Sequence, residues 1–354
     1  MRIALVDPLA YTPPYDHALA SALGERGHAV TLLTSRFPHG QSPAPSRYAR
    51  EEMFAPISTR VFRRSVLRLP VKGLEYGPSA ARLVRRIDRL EPDVVHVQWL
   101  PRPELDLRWL RRIAGERPVV FTAHDVLPRR PQAARVWAEV LETAERVIVH
   151  SHRAVAQLDE LGLGSERIAR IPHPVFEGEA LTAPSGRTLL FFGLIRDYKG
   201  LDVLLEALPD IPDARLVVAG DPLDPVRRVE LDGRIEWRLR FISGPEVREL
   251  MDEAAAVVLP YRQLDSSGVL ATAIGYRRPV VVTDVGSLGE IVREFGAGEV
   301  VAPGDPQALA AAVKRLLEPD ALAAAHEGTE RAAAALTWDR SAADHDRLYR
   351  EVRR

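Results

Sequence analysis

Thr188-Leu189-Leu190-Phe191-Phe192-Gly193-Leu194-Ile195-Arg196-Asp197-Tyr198-Lys199-Gly200-Leu201 is the stretch on which the choice of fold class turns. After the β-branched Thr188, Leu189–Phe192 are apolar with no polar break, as in a strand buried on both faces. Gly193 ends the run, two cations follow three residues apart, and 201–208 reads as a helix. A strand that passes directly into a helix is half of a β-α-β unit, so the expected sheet is parallel and covered by helices on each side. The turn also carries a chemistry. Backbone N–H groups and the positive end of the helix dipole, with Arg196 and Lys199 beside them, suit a diphosphate. On spacing alone an ordinary solvated turn accounts for the same residues.

The pattern extends in both directions. Upstream, 3–6, 29–33, 94–97, 119–122 and 147–149 are short apolar runs separated by helix-like stretches, the first at 18–23. Downstream, 214–219, 257–259 and 280–283 repeat the theme, with a helix over 246–255. Between the halves, 176–186 contains Gly178, Pro184 and Gly186 and reads as a linker. The expected organisation is two doubly wound α/β domains, 1–175 and 176–335, with 336–354 as a C-terminal helix crossing back to the first. In such sheets ligands bind at the carboxyl ends of the strands.

Composition limits the function classes. The chain has 354 residues, 46% apolar and 27% charged, suiting two soluble domains. No apolar run approaches the ~20 residues of a membrane-spanning helix, and the apolar N-terminal stretch is too short for a signal peptide. Cysteine is absent, which removes disulfides, thiolate metal sites and a cysteine nucleophile. A cytoplasmic enzyme is the expectation. The net charge of −1 is unevenly spread: residues 1–175 hold 26 Lys and Arg against 19 Asp and Glu. Eleven of those cations lie between positions 47 and 89, interleaved with Val61, Phe62, Val66, Leu67, Leu69 and Val71. Such a stretch suits peripheral contact with an anionic membrane on its inner face, or a plain solvated surface. No basic stripe coincides with a nucleic-acid recognition motif, so nucleic acid is not an expected partner.

A second segment supplies context for the Arg196–Lys199 turn. Pro260-Tyr261-Arg262-Gln263-Leu264-Asp265-Ser266-Ser267-Gly268-Val269-Leu270 leads through a helix to Pro279-Val280-Val281-Val282-Thr283-Asp284-Val285-Gly286-Ser287-Leu288-Gly289-Glu290. Together with Thr122-Ala123-His124-Asp125-Val126-Leu127-Pro128, Val147-Ile148-Val149-His150-Ser151, Ile171-Pro172-His173-Pro174 and Leu336-Thr337-Trp338-Asp339, it resembles the retaining GT-B glycosyltransferases of family 4 (group 1). The branch resembled has Ser-Gly-Val at the start of the donor helix. The resemblance implies a GT-B fold, two Rossmann-like domains facing across a cleft. It implies a nucleotide diphosphate sugar as co-substrate, no further cofactor and no metal. Arg196 and Lys199 would stabilise the leaving diphosphate, and His124 would face the donor sugar. Gly193, Asp265, Ser266, Ser267, Gly268, Val269 and Glu290 would bind the donor. Retention is implied through an oxocarbenium–phosphate ion pair in which the leaving phosphate takes the acceptor's proton.

Three departures accompany the resemblance. The family's Glu-x7-Glu pair falls on Leu264 and Thr272, with Asp265 as a substitute for the first after a one-residue slip. The second glycine of its Val-Gly-Gly is Ser287. The loop after the first strand, 8–17, is stiff and aromatic where the family has glycines. Tyr11, Tyr15, Asp16 and His17 lie there, and aromatic faces beside a carboxylate suit an acceptor, whether glycan, lipid-linked or small molecule; Tyr15 reads equally as packing into the following helix. Ser266, Ser267 and Gly268 read equally as helix caps, and Glu290 as a helix-dipole charge. The lone Asp-x-Asp, 344–346, reads as a solvated helix face, and His96, His150, His152 and His173 as structural. Loss of the Glu pair leaves a second reading, a non-catalytic partner subunit that binds nucleotide sugar or glycan.

Overall fold

The computed structural model describes residues 1–37, 42–60, 68–127, 134–176 and 178–353, with only the backbone of 59, 60, 68–70 and 72. The chain forms two compact units, Met1–Pro172 with Trp338–Arg354, and His173–Thr337.

Unit 1 opens with β1 (Arg2–Asp7), α1 (Pro13–Glu25) and β2 (Ala29–Ser35). There follow β3 (Ala49–Phe54), α2 (Pro56–Arg60) and α3 (Arg68–Leu90). β4 (Val94–Val97), α4 (Pro103–Ala114), β5 (Val119–Thr122) and α5 (Ala134–Thr143) keep the alternation. β6 (Arg146–Val149), α6 (His152–Glu160) and β7 (Ile168–Arg170) complete a parallel sheet of order β3-β2-β1-β4-β5-β6-β7. The apolar runs read from sequence are its central strands. β4 and β5 are buried along their whole length because helices cover both faces. Leu83 and Ile87 of α3, Leu110 and Ile113 of α4, and Trp137 and Val140 of α5 pack with Val95, Val97 and Phe121. Full burial of each such side chain is worth ~1.5–3 kcal/mol.

α1 starts five residues ahead of the expected 18–23 helix. Pro13 and Pro14 occupy its first positions, where a missing N–H costs nothing and a fixed φ helps. Tyr15, Asp16 and His17 are therefore helical residues, not loop residues.

Unit 2 runs β8 (Thr188–Phe192), α7 (Leu201–Ala207), β9 (Arg215–Ala219), β10 (Ile235–Arg238) and α8 (Gly244–Glu253). It continues with β11 (Ala256–Leu259), α9 (Gly268–Gly275), β12 (Val280–Thr283) and α10 (Leu288–Phe295). β13 (Gly298–Val301), α11 (Pro306–Leu316) and α12 (Pro319–Ala335) close it. Its six strands are parallel, in the order β10-β9-β8-β11-β12-β13. The final helix, α13 (Trp338–Val352), belongs to unit 1 and packs on α1. The ring of Trp338 meets that of Tyr15 edge-on at 5.1 Å, and the Tyr349 hydroxyl lies 2.6 Å from His96 Nδ1.

Of the basic, apolar stretch between 47 and 89, residues 61–67 lie outside the described residues, so Val61, Phe62, Val66 and Leu67 have no structural account. What is described next to them is a groove of about 550 Å³ between α2 and α3. Ile57, Val71, Leu74 and Pro78 line it, with Arg82 and Arg85 along it. Leu74 is 80% exposed there. Among the described residues no helix is long and apolar enough to cross a membrane.

Candidate active site

Each sheet reverses its strand order at one point, and the polar residues of each unit gather at the carboxyl ends of the strands there. In unit 2 the reversal lies between β8 and β11. The chain leaves β8 through Gly193, whose φ of +103° suits glycine, and makes a short 3-10 turn over Asp197–Lys199. A Cβ on Gly193 would lie 2.9 Å from Val269 Cγ2 and 3.2 Å from Lys199 Nζ. Gly200 is left-handed, with φ +66°, and a Cβ there would sit 2.0 Å from the Pro260 carbonyl. The turn is thus pressed onto the end of β11. Arg262 holds it further: its N–H donates to the Tyr198 carbonyl at 2.7 Å and its guanidinium to Asp197 O at 2.8 Å.

Lys199 is not the exposed cation expected of such a turn. It is 7% exposed, and its ammonium sits 5.3 Å from the centre of the Tyr261 ring. Among the described residues no ion pair to it is present. Burial, with the charge of Arg196 second, lowers it from the usual lysine range to about 8. Arg196 does remain exposed, on the rim of a 410 Å³ pocket shared with Asp224 and Arg227.

The start of α9 adjoins this turn through Val269. Ser267 caps the helix, its Oγ accepting from Leu270 N at 3.2 Å, and is 6% exposed. Ser266 and Asp265 are half-buried, and Gly268 is exposed. The Asp265 carbonyl accepts from Ser287 N at 2.8 Å, which joins this segment to the loop before α10. Glu290 lies half-buried in the first turn of α10. At the two positions where the family has glutamates, Leu264 packs against the apolar core and Thr272 Oγ1 donates back to the Gly268 carbonyl at 2.8 Å. The structure therefore collects Gly193, Lys199 and Val269 at one point, with Asp265, Ser266, Ser267 and Gly268 running on from it.

In unit 1 the reversal lies between β1 and β4. Asp7, at the end of β1, accepts backbone N–H groups of Leu9 (3.3 Å), Tyr11 (2.6 Å) and Thr12 (3.2 Å), folding the 8–12 loop back on itself. His124 follows β5 and is 5% exposed. The indole of Trp99 stacks on its ring at 4.9 Å and 14°, and Tyr15 meets it edge-on at 4.9 Å. Its Nε2 is 2.9 Å from Gln98 Oε1, and its Nδ1 3.3 Å from His150 Nε2.

The four residues read as an acceptor face are not one open surface. Tyr15 and Asp16 are 1% exposed, because the proline-led start of α1 turns both inward. Asp16 lies against Asp7; burial raises both carboxyls, Asp16 well above the usual range. Tyr11 is 47% exposed and tilted against Trp99 at 5.2 Å. His17 Nδ1 lies 3.0 Å from the Tyr48 hydroxyl. The Asp-x-Asp of α13 is occupied internally: Asp344 pairs with Arg347, and Asp346 with His28 and Arg350.

Several residues at these two points were not singled out as functional from sequence: Asp7, Gln98, Trp99, His150 and Tyr261. For one of them, Gln98, there is a signal, shared with His96. In the buried run Val94-Val95-His96-Val97-Gln98, the polar residues recur at period two, placing both on one face of a strand that otherwise reads as core.

Two parallel, doubly wound α/β units in one chain, each with its polar groups at the reversal of strand order, define the GT-B class of glycosyltransferase. Residues 186–319 match the family described as Glycosyl transferases group 1, and residues 15–176 match Glycosyltransferase Family 4. The chain is 31% identical over 392 residues to a D-inositol 3-phosphate glycosyltransferase of Jonesia denitrificans, covering 95% of this chain and 89% of that protein. It is 28% identical over 352 residues to a phosphatidyl-myo-inositol mannosyltransferase of Mycolicibacterium smegmatis, covering 92% and 87%. The Anabaena protein HepE, solved with UDP and glucose, superposes with a TM-score of 0.75 at 17% identity, covering 99% of this chain and all of that one. The chain belongs to glycosyltransferase family 4 (group 1) and is a glycosyltransferase that uses a nucleotide-sugar donor.

Proposed function

We propose that the chain transfers a hexosyl group from a nucleoside-diphosphate sugar to an acceptor hydroxyl with retention of anomeric configuration and without a metal ion. The observation that carries this reading is the buried ammonium of Lys199. It lies beside Gly193, over the Tyr261 ring, with only another cation, Arg196, shifting it besides burial. An ammonium in that state favours a dianionic ligand more strongly than an exposed lysine does, because little water screens it. As the anomeric C–O bond breaks, charge grows on the leaving diphosphate, and Lys199 and Arg196 stabilise it there. Their charge supplies what a divalent ion supplies elsewhere. Ser266, Ser267 and the Gly268 amide suit the phosphate or sugar hydroxyls, and Glu290 a donor hydroxyl. His124 is assigned to the transferred sugar. The nucleotide sugar is co-substrate, and no other cofactor is assigned.

For the acceptor, both relatives named above act on inositol compounds by name, which puts inositol phosphate and phosphatidylinositol first among candidates. The exposed Leu74 and Ile57, with Arg82 and Arg85, support peripheral contact of unit 1 with an anionic membrane from the cytoplasmic side. Tyr11 is the acceptor-side residue that stays open.

Thermal unfolding of the purified protein against UDP, GDP, ADP and dTDP, each with and without EDTA, tests the donor assignment. One nucleotide at ~100 times its Kd is expected to add ~2.7 kcal/mol, unchanged by EDTA. No stabilisation by any of the four overturns the diphosphate site, and activity lost to EDTA and restored by magnesium or manganese overturns metal independence. The anomeric configuration of the product, read by NMR, decides retention.

A further inference from the structure

Among the described residues two cationic side chains are buried, Arg278 and Lys199. Arg278 is held by oxygens, donating to the carbonyls of Met251 at 2.6 Å and Thr182 at 2.8 Å. Lys199 has no such oxygen among the described residues. The carboxylates around its turn are engaged elsewhere: Asp202 by the Arg262 guanidinium at 2.9 and 2.5 Å, and Asp224 by the Asp197 amide at 3.0 Å. Of the neighbouring charges, Arg196 shifts it, and Arg196 is a cation. What the ammonium does have is a ring. The Tyr261 side chain is fully buried, and its ring centre lies 5.3 Å from Lys199 Nζ. A ring face carries partial negative charge and attracts a cation, most strongly where water is excluded.

The backbone on either side of Tyr261 fixes that distance. Its own carbonyl accepts from Thr283 Oγ1 at 2.5 Å, which ties the end of β11 to the end of β12. The Pro260 carbonyl presses on Gly200, and Arg262 N–H donates to the Tyr198 carbonyl at 2.7 Å. Three consecutive residues therefore hold the 196–200 turn, and the middle one meets its lysine. We propose that Tyr261 is a positioning residue whose ring face takes the place of a carboxylate beside Lys199, holding the ammonium ready without neutralising it. A carboxylate there would compete with an arriving diphosphate, whereas an uncharged ring leaves the whole positive charge to the ligand. The consequence for the donor rests on the assignment of Lys199 to its diphosphate; the pairing of ring and ammonium does not.

The first measurement therefore needs no ligand. Lysine stands at three positions only, 72, 199 and 314, so lysine labelled with 13C at Cε gives three side-chain signals, and Lys199 is the one missing from Lys199→Met. In the wild type, a nuclear Overhauser contact between its Hε and the Tyr261 ring protons is expected; its absence overturns the pairing without any change at Tyr261. The Lys199 titration midpoint is expected to fall by about one pH unit in Tyr261→Met and to stay in place in Tyr261→Phe, which keeps the ring. An unmoved midpoint in Tyr261→Met, or one as low in Tyr261→Phe, overturns it. Binding then separates positioning from packing, with Kd measured for whichever of UDP, GDP, ADP and dTDP stabilises the wild type. Tyr261→Met is expected to weaken it on the order of tenfold at pH 8.5 and little at pH 6, with Tyr261→Phe following the wild type at both. In the Lys199→Met background the same Tyr261→Met change is expected to cost less than about twofold. Equal losses in both backgrounds make Tyr261 a packing residue and overturn the proposal. Wild-type affinity in Lys199→Met sinks the diphosphate assignment instead, and the lysine titration still decides the pairing.

Discussion

The two units place polar groups at the same point of the same kind of sheet and use them in opposite ways. In unit 1, His96, Gln98, His124 and His150 are spent on one another and on Thr122, Tyr349 and the Ile171 carbonyl. Burial holds His96, His150 and His345 well below the usual histidine range, so these three rings are polar but uncharged near neutral pH. In unit 2, a single ammonium is buried against an aromatic ring with another cation nearby. One end is a set of neutral rings hydrogen-bonded mostly to one another; the other is a charge left short of a counter-charge. The same α/β layer thus carries either a neutral hydrogen-bonded cluster or a buried charge, according to which side chains follow the strands.

Four experiments bear on that contrast. The largest effect is expected from Lys199→Met: kcat/KM for the donor falls on the order of 10³-fold, while thermal stability holds or rises because a buried charge is removed. Retained activity would put unit 2's charge outside the reaction, and collapse of the fold would make Lys199 structural.

Acid should attack unit 1 alone. Its buried histidines have folded pKa values below the unfolded 6.5, so the stability they contribute is present above 6.5 and is lost as pH falls toward about 4. Each of His150 and His345 accounts for on the order of 3 kcal/mol at full loss. Asp7 and Asp16 act in the opposite sense, being raised. Hydrogen exchange at pH 7 and pH 5 is expected to show protection falling in β4–β6 and α13 while β8, β11 and β12 keep theirs. Equal loss in both units would erase the distinction.

A smaller effect is expected on donor affinity at high pH. If binding requires the charged form of Lys199, nucleotide Kd weakens toward tenfold per pH unit above about 8, and binding takes up a proton there. Calorimetry in two buffers of different ionisation enthalpy reads that proton directly. A pH-independent Kd from 7 to 9.5 would show that Lys199 stays charged without ligand.

The smallest effect concerns Asp16→Asn. Asp7 and Asp16 are buried together with raised pKa values, so their contribution is complete below the unfolded 3.8 and declines as pH rises. The amide offers Asp7 a donor without a second charge, and stability at pH 8 is expected to rise by about 1 kcal/mol, with no gain at pH 3.5. Urea unfolding at both pH values measures it.

How much of this was legible in the sequence followed burial. The central strands announced themselves because both faces are covered and every position is apolar. The four strands that did not, β3, β7, β10 and β13, are the four sheet edges, with partly exposed, mixed sequences such as Ala49-Arg50-Glu51-Glu52-Met53-Phe54. At the candidate site, residue identities in motif order located the Gly193–Lys199 turn and His124. What they could not give was depth. A lysine after a strand reads as solvated unless one knows that Gly200 lets the turn sink onto Pro260, and Tyr15 and Asp16 read as a loop unless Pro13 and Pro14 are taken as a helix start. His150, whose ring meets that of His124, lies 26 residues away just after the next strand, a spacing only the parallel pairing of β5 and β6 brings together.

The assignment of α13 to unit 1 also has a consequence for biosynthesis. A ribosome delivers residues 1–172 first, yet the helix that covers α1 and supplies Tyr349 to His96 follows all of unit 2. At ~5–20 residues per second that wait is on the order of 10–30 s. During it the nascent first unit carries an uncovered α1 face and an incomplete histidine cluster, so it is exposed to chaperones and proteases until its last helix emerges. Unit 2 is contiguous and can close before then. Translation order thus makes unit 1 the last to mature, and arrest just before Trp338 should leave a chain able to hold nucleotide but not to transfer.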